Sequence, residues 1–169
     1  MIKILSILVR NRPGVLSHVA GLVTRRGYNV ESIAAGPTEN PEITRINLVV
    51  SGDGPILEQV VKQVRKLVDV IRVDDLTNDQ PVTGELALIT VKVSGLKRAE
   101  ALNVINLLSL TISDIKEDSL TVMVAGTALT VDMAVNGLKP YGIVAMARTG
   151  LVALPRPRNG KPKESKERD

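Results

Sequence analysis

The chain has 169 residues, 44% of them apolar, with no Cys, one His and two aromatic residues, both Tyr. This is enough for one ordinary domain or two small ones, and it argues against a disulfide framework, a thiolate metal site and a base-stacking surface for single-stranded nucleic acid. The net charge of +4 invites a polyanion-binding reading. However, residues 155–169 hold six of the 22 Lys/Arg and three of the 18 Asp/Glu, which leaves 16 basic and 15 acidic residues for a nearly neutral remainder.

Residues Ile2 to Val9 are mostly apolar and β-branched, the pattern of a strand buried on both faces. Val15, Leu16, Val19, Leu22 and Val23 follow at helical spacing, and Gly27 offers a stop before Tyr28 to Ala35 extends again. The turn-forming run 36–42 leads to a half-buried strand carrying Thr44, Ile46, Leu48 and Val50. Pro55 sits near the start of a second helix, whose stripe runs through Ile56, Leu57, Val60, Val61, Val64, Leu67 and Val68. Val70 to Val73 closes a βαββαβ set.

The order then repeats. Leu86 to Val93 reads as a strand, Ala101, Val104, Ile105 and Leu108 as a helix stripe, and Leu110 to Ile115 as a strand. Leu120, Val122 and Val124 alternate; Val131, Ala134, Val135 and Leu138 make a second helix; Ile143 to Ala147 closes the set. The expectation is an α+β chain of two ferredoxin-like βαββαβ modules in tandem, with boundaries 1–76, a linker 77–84, and 85–155, ending in a disordered basic tail, 156–169. Modules this small leave a sheet face or edge to be covered, and pairing with a second copy is the expected remedy. No apolar run is long enough to span a membrane and no cleavable leader is visible, so a cytoplasmic location is expected.

The first strand-to-helix turn is "NRPG", 11–14. With Pro13 in the first helical turn, Arg12 takes the cap position, where it can accept nothing, and the first N–H groups need another partner. Two readings stay open: a tight turn with Asn11 as a local cap, or an anion held at the free donors with Gly14 leaving room for it.

The stretch 4–50, "ILSILVRNRPGVLSHVAGLVTRRGYNVESIAAGPTENPEITRINLVV", followed by "LEQVVKQVRKLVDVIRV", resembles the small regulatory subunits of acetolactate synthase. The second half is similar to them in "ISDIKEDSLTVMVAGT" and "VAMARTGLVAL". The resemblance implies that the first module is an ACT domain and that the chain is non-catalytic. It further implies a homodimer that confers activation and feedback inhibition on a separate large subunit, a transferase condensing 2-oxo acids on the route to valine, leucine and isoleucine. Thiamine diphosphate, Mg and FAD are expected on that large subunit and no cofactor on this chain. The implied effector is a branched-chain amino acid, valine before leucine or isoleucine, held at an ACT-domain dimer interface. Asn11, Pro13, Gly14, Val15, Leu16, Asn29 and Ile33 are the implied effector residues. In that scheme the N–H groups of Gly14, Val15 and Leu16 receive a carboxylate, the amide oxygens of Asn11 and Asn29 an ammonium, and Val15 and Ile33 an aliphatic side chain.

No catalytic or metal-binding residue is expected. His18 has no ligand partners at metal spacing, Asp74-Asp75 reads as a solvated linker turn, and Arg25 and Arg26 as cations at a helix end. Tyr28 is expected to pack at the module edge. Gly52 and Gly54 lack the Gly-Lys-Ser/Thr ending of a phosphate loop. An autonomous phosphatase and a nucleic-acid-binding module are the competing readings. The first lacks a phosphate cradle and the second a basic folded face.

Overall fold

A computed structural model describes residues 1–24 and 29–157. The expected stop at Gly27, the packing of Tyr28, the roles of Arg25 and Arg26, and the tail from residue 158 fall outside the described residues. The chain divides into two compact units, Met1–Thr83 rejoined from Leu151, and Gly84–Gly150.

The first unit runs β1 (Ile2–Arg10), α1 (Val15–Thr24), β2 (Asn29–Pro37), β3 (Ile43–Ser51), α2 (Gly54–Val64) and β4 (Val70–Asp75). Its antiparallel sheet has the order β2-β3-β1-β4, with β2 at one edge. Pairing of Leu5 with Leu48 and of Ile7 with Ile46 puts these residues on one face with Val9 and Val50, and all six are buried. Val15, Val19 and Val23 of α1 and Leu57, Val60 and Val64 of α2 complete this core. A ten-residue helix is marginal alone, so α1 is held by burying these valines, each contributing about 1.5–3 kcal/mol.

Three expectations change here. Leu16 lies off the buried stripe, 47% exposed. Helix α2 ends at Val64; Lys66 and Leu67 donate to the carbonyls of Gln63 and Val64, tightening the chain into turns and leaving Val68 exposed. Asp74 and Asp75 belong to β4, not to a linker: Asp74 accepts from Arg72 Nε at 2.8 Å, and Asp75 is ion-paired with Lys3.

The second unit repeats the plan with β5 (Val82–Lys92), α3 (Gly95–Leu107), β6 (Thr111–Ile115), β7 (Ser119–Gly126), α4 (Ala128–Leu138), a 3-10 turn (Lys139–Tyr141) and β8 (Ile143–Arg148). Its sheet order is β6-β7-β5-β8, and Ala87, Ile89, Val91, Ile105, Val122 and Leu138 lie in its core. Thr127 caps α4 through a bond from the Thr130 N–H. Val82 and Thr83, expected in a linker, already belong to β5.

The last strand, β9 (Val152–Leu154), was not foreseen; it pairs with β5 as the fifth strand of the second sheet, while the chain from Leu151 belongs to the first compact unit. The Leu151 N–H donates to Ser32 Oγ, Ala153 is fully buried, and Arg156 Nε donates to the Gln80 carbonyl. Ser32 lies on the sheet face away from the helices, with Ser6 and Asn47, and the latter two are buried. A chain ending at Pro155 is therefore expected to melt within about 2 °C of the full chain. One ending at Gly150 should melt several degrees lower in calorimetry, at about 4–8 °C per kcal/mol lost in a unit of this size.

Candidate functional site

Residues 12–15 form a type II turn, with Pro13 and Gly14 at its two central positions. Gly14 has φ +86°, a left-handed value that suits glycine, and the Val15 N–H donates to the Arg12 carbonyl at 3.4 Å. Pro13 thus precedes helix α1 instead of opening it, and Gly14 takes the cap position, its carbonyl accepting from the His18 N–H at 3.0 Å. Glycine has no side chain with which to cap. Among the described residues, no acceptor takes the Gly14 or Leu16 N–H, so the helix start keeps free donors facing a favourable dipole.

Asn11 does not cap the helix. Its N–H donates to the Glu42 carbonyl at 2.7 Å and its Nδ2 to the Pro41 carbonyl at 3.0 Å, which ties the 11–14 turn to the loop between β2 and β3. With the amide NH2 engaged inside the chain, the Asn11 amide oxygen is the group left to meet a ligand. Asn29 is similar: its Nδ2 donates to Glu31 Oε1 at 2.6 Å. Sequence reasoning missed both anchors, because Pro41 lies thirty positions from Asn11 and Glu31 became visible only through a bulge in β2.

Val15 departs from its expected role. Its side chain is 5% exposed in the core and its N–H is engaged, so it can supply neither an apolar wall nor a free donor. Leu16 and Ile33, 47% and 37% exposed, are the aliphatic groups that remain available. His18 is exposed, and among the described residues no group of three or more His, Cys, Asp or Glu is placed to hold a metal ion. No described helix is long and apolar enough to cross a membrane.

One chain does not bring the two halves of this set together. Asn29 pairs with Ser51, which pairs with Ile2; Asn11 follows Arg10, which pairs with Ile43. Eight residue steps along β1 separate these ends, or about 27 Å at 3.4 Å per residue, far beyond the reach of a single amino acid. A surface pocket of about 480 Å³ beside Asn11 is lined by Arg10–Arg12, Asn40–Ile43 and Ile71, and takes in neither Gly14, Leu16, Asn29 nor Ile33.

Comparison with known proteins gives the family. The model for an ACT domain like that of the acetohydroxyacid synthase small subunit matches residues 5–72, and the model for the small subunit of acetolactate synthase matches residues 84–157. The chain belongs to the acetolactate synthase small-subunit family. It is 41% identical to the acetolactate synthase small subunit of Bacillus subtilis over 92% of this chain and 91% of that one. It is 38% identical to that of Mycolicibacterium smegmatis over 90% and 89%. The crystal structure of the Thermotoga maritima small subunit superposes with a TM-score of 0.84 at 33% identity, covering 94% and 99% of the two chains.

The Gly14 turn has a direct test. Space is open around both Gly14 and Gly21, but only Gly14 is left-handed. Gly14→Ala is expected to cost about 1–2 kcal/mol in urea unfolding, while Gly21→Ala, inside α1, is expected to gain about 0.5–1 kcal/mol.

Proposed function

We propose that the chain is the regulatory subunit of acetolactate synthase and binds a branched-chain amino acid, valine first, between the first units of two chains. On its own it forms no acetolactate. Bound to the thiamine-diphosphate-dependent large subunit, it raises turnover and makes it sensitive to valine, leucine or isoleucine.

What supports the reading is the separation of two complementary half-sites by one sheet length. Strand β2 is an edge, and an antiparallel pairing of two β2 strands about a two-fold axis sets the partner's Asn29 beside the 11–14 turn of the first chain. The effector's carboxylate meets the uncapped N–H groups at Gly14 and Leu16. Its ammonium meets the amide oxygens of Asn11 and the partner's Asn29, and its isopropyl group meets Leu16 and the partner's Ile33. Neutral amides suit this role because they accept from the ammonium without adding a charge to be desolvated.

The test mixes two defective chains. Gly14→Asp puts a carboxylate where the ligand's own must lie, and Asn29→Ala removes the acceptor; each homodimer is expected to weaken valine binding below what calorimetry detects, Asn29→Ala to the millimolar range. In a heterodimer of the two, both lesions fall in one site and the other site is whole, so calorimetry is expected to recover about half the wild-type capacity, one site of the two that a two-fold dimer carries. No recovery would mean that each chain builds its own site.

A further inference from the structure

Strand β2 does not run evenly along β3. Val30 pairs with Val50 and Ser32 with Val49, so Glu31 is an extra residue with no partner of its own. A bulge of this kind re-aims the side chain it carries. Here the Glu31 carboxylate turns back along its own strand end, where Oε1 accepts from Asn29 Nδ2 at 2.6 Å and from Ser51 Oγ at 2.5 Å.

We propose that Glu31 is a positioning residue for effector binding: by taking the Asn29 amide NH2, it holds the Asn29 amide oxygen outward to accept from the ligand's ammonium group. The inference rests on the effector reading above. Its chemistry is a matter of donor and acceptor types. An asparagine amide is nearly symmetric in shape and presents either its oxygen or its nitrogen to a neighbour, and only the oxygen can accept from an ammonium. A carboxylate accepts and does not donate, so it tolerates one orientation alone. The hydrogen bonds from Ser51 and then Asn29 hold the Glu31 carboxyl below the usual glutamate range, against a smaller opposing effect of desolvation, which keeps it ionised and acceptor-only at neutral pH. Its negative charge also sits at the ammonium end of the site, away from the donors at Gly14 and Leu16.

A glutamine at this position keeps the shape but loses the constraint, since its own NH2 can donate to the Asn29 oxygen and turn the amide around. Valine titrations of the full-length chain, followed by ligand-observed NMR into the millimolar range, test this with Glu31→Gln, Glu31→Ala, Asn29→Ala and the double variant Asn29→Ala/Glu31→Ala, each checked for an unchanged melting curve. Glu31→Ala is expected to raise the valine Kd about tenfold and Glu31→Gln about threefold, the range for a charge-assisted hydrogen bond. On the Asn29→Ala background, Glu31→Ala is expected to change the Kd by less than about twofold, because a residue acting through Asn29 has nothing left to position. A merely structural role would multiply the two losses, and that result overturns the proposal, as do Glu31 variants that bind like the wild type. A wild-type chain that binds none of valine, leucine and isoleucine overturns the effector reading itself, so the two failures are distinguishable.

Discussion

Nine consecutive antiparallel pairs between β1 and β3, from Ile2 with Ser51 to Arg10 with Ile43, form the frame on which the first unit hangs. Their parity sends Leu5, Ile7, Val9, Ile46, Leu48 and Val50 under the two helices. A slip of one residue would send Ser6 and Asn47 there in their place. Their length does something else. It holds the turn at Gly14 and the strand start at Asn29 a full sheet apart, and so decides that a small ligand touching both must be shared between chains.

Most of this frame was legible in the sequence. Alternation at Thr44 to Val50 and helical spacing at Val15, Val19 and Val23 each report a face, and a face is what burial selects. What periodicity cannot report is where a segment stops or whom a polar group meets. The apolar spacing continues through Leu67 and Val68, yet α2 stops at Val64, and Leu67 packs on the core from a turn. Strand β9 is three residues long, too short to show a period. At the candidate site, the turn at Pro13 and Gly14 was legible and the surroundings of each residue were not. "PGVL" looks like three donors and an apolar wall, but the type II turn gives Val15 to the core and its N–H to Arg12.

The two units share more than strand order. Each has one bulge where its second strand meets its third, at Glu31 and at Ser113, and one where its fourth meets its first, at Ile71 and at Val144. The scaffold is therefore repeated to the level of single irregular residues, while the polar fittings differ. Ser113 offers a hydroxyl where the first unit has a carboxylate. The turn before α3 places Ser94 and a left-handed Gly95 where the first unit has Asn-Arg-Pro-Gly. A fold held in common with different polar residues at corresponding positions separates architecture from side-chain chemistry in such repeats.

The return of the chain at Leu151 makes the first unit discontinuous, with the whole second unit spliced into it. A ribosome therefore delivers β1 through β4 early and must then translate all of Gly84–Gly150 before the residues that cover Ser32 exist. The nested unit has its own core, and every residue of that core exists once β8 emerges, before β9 is made to pair with β5. The outer unit, although begun first, is finished last.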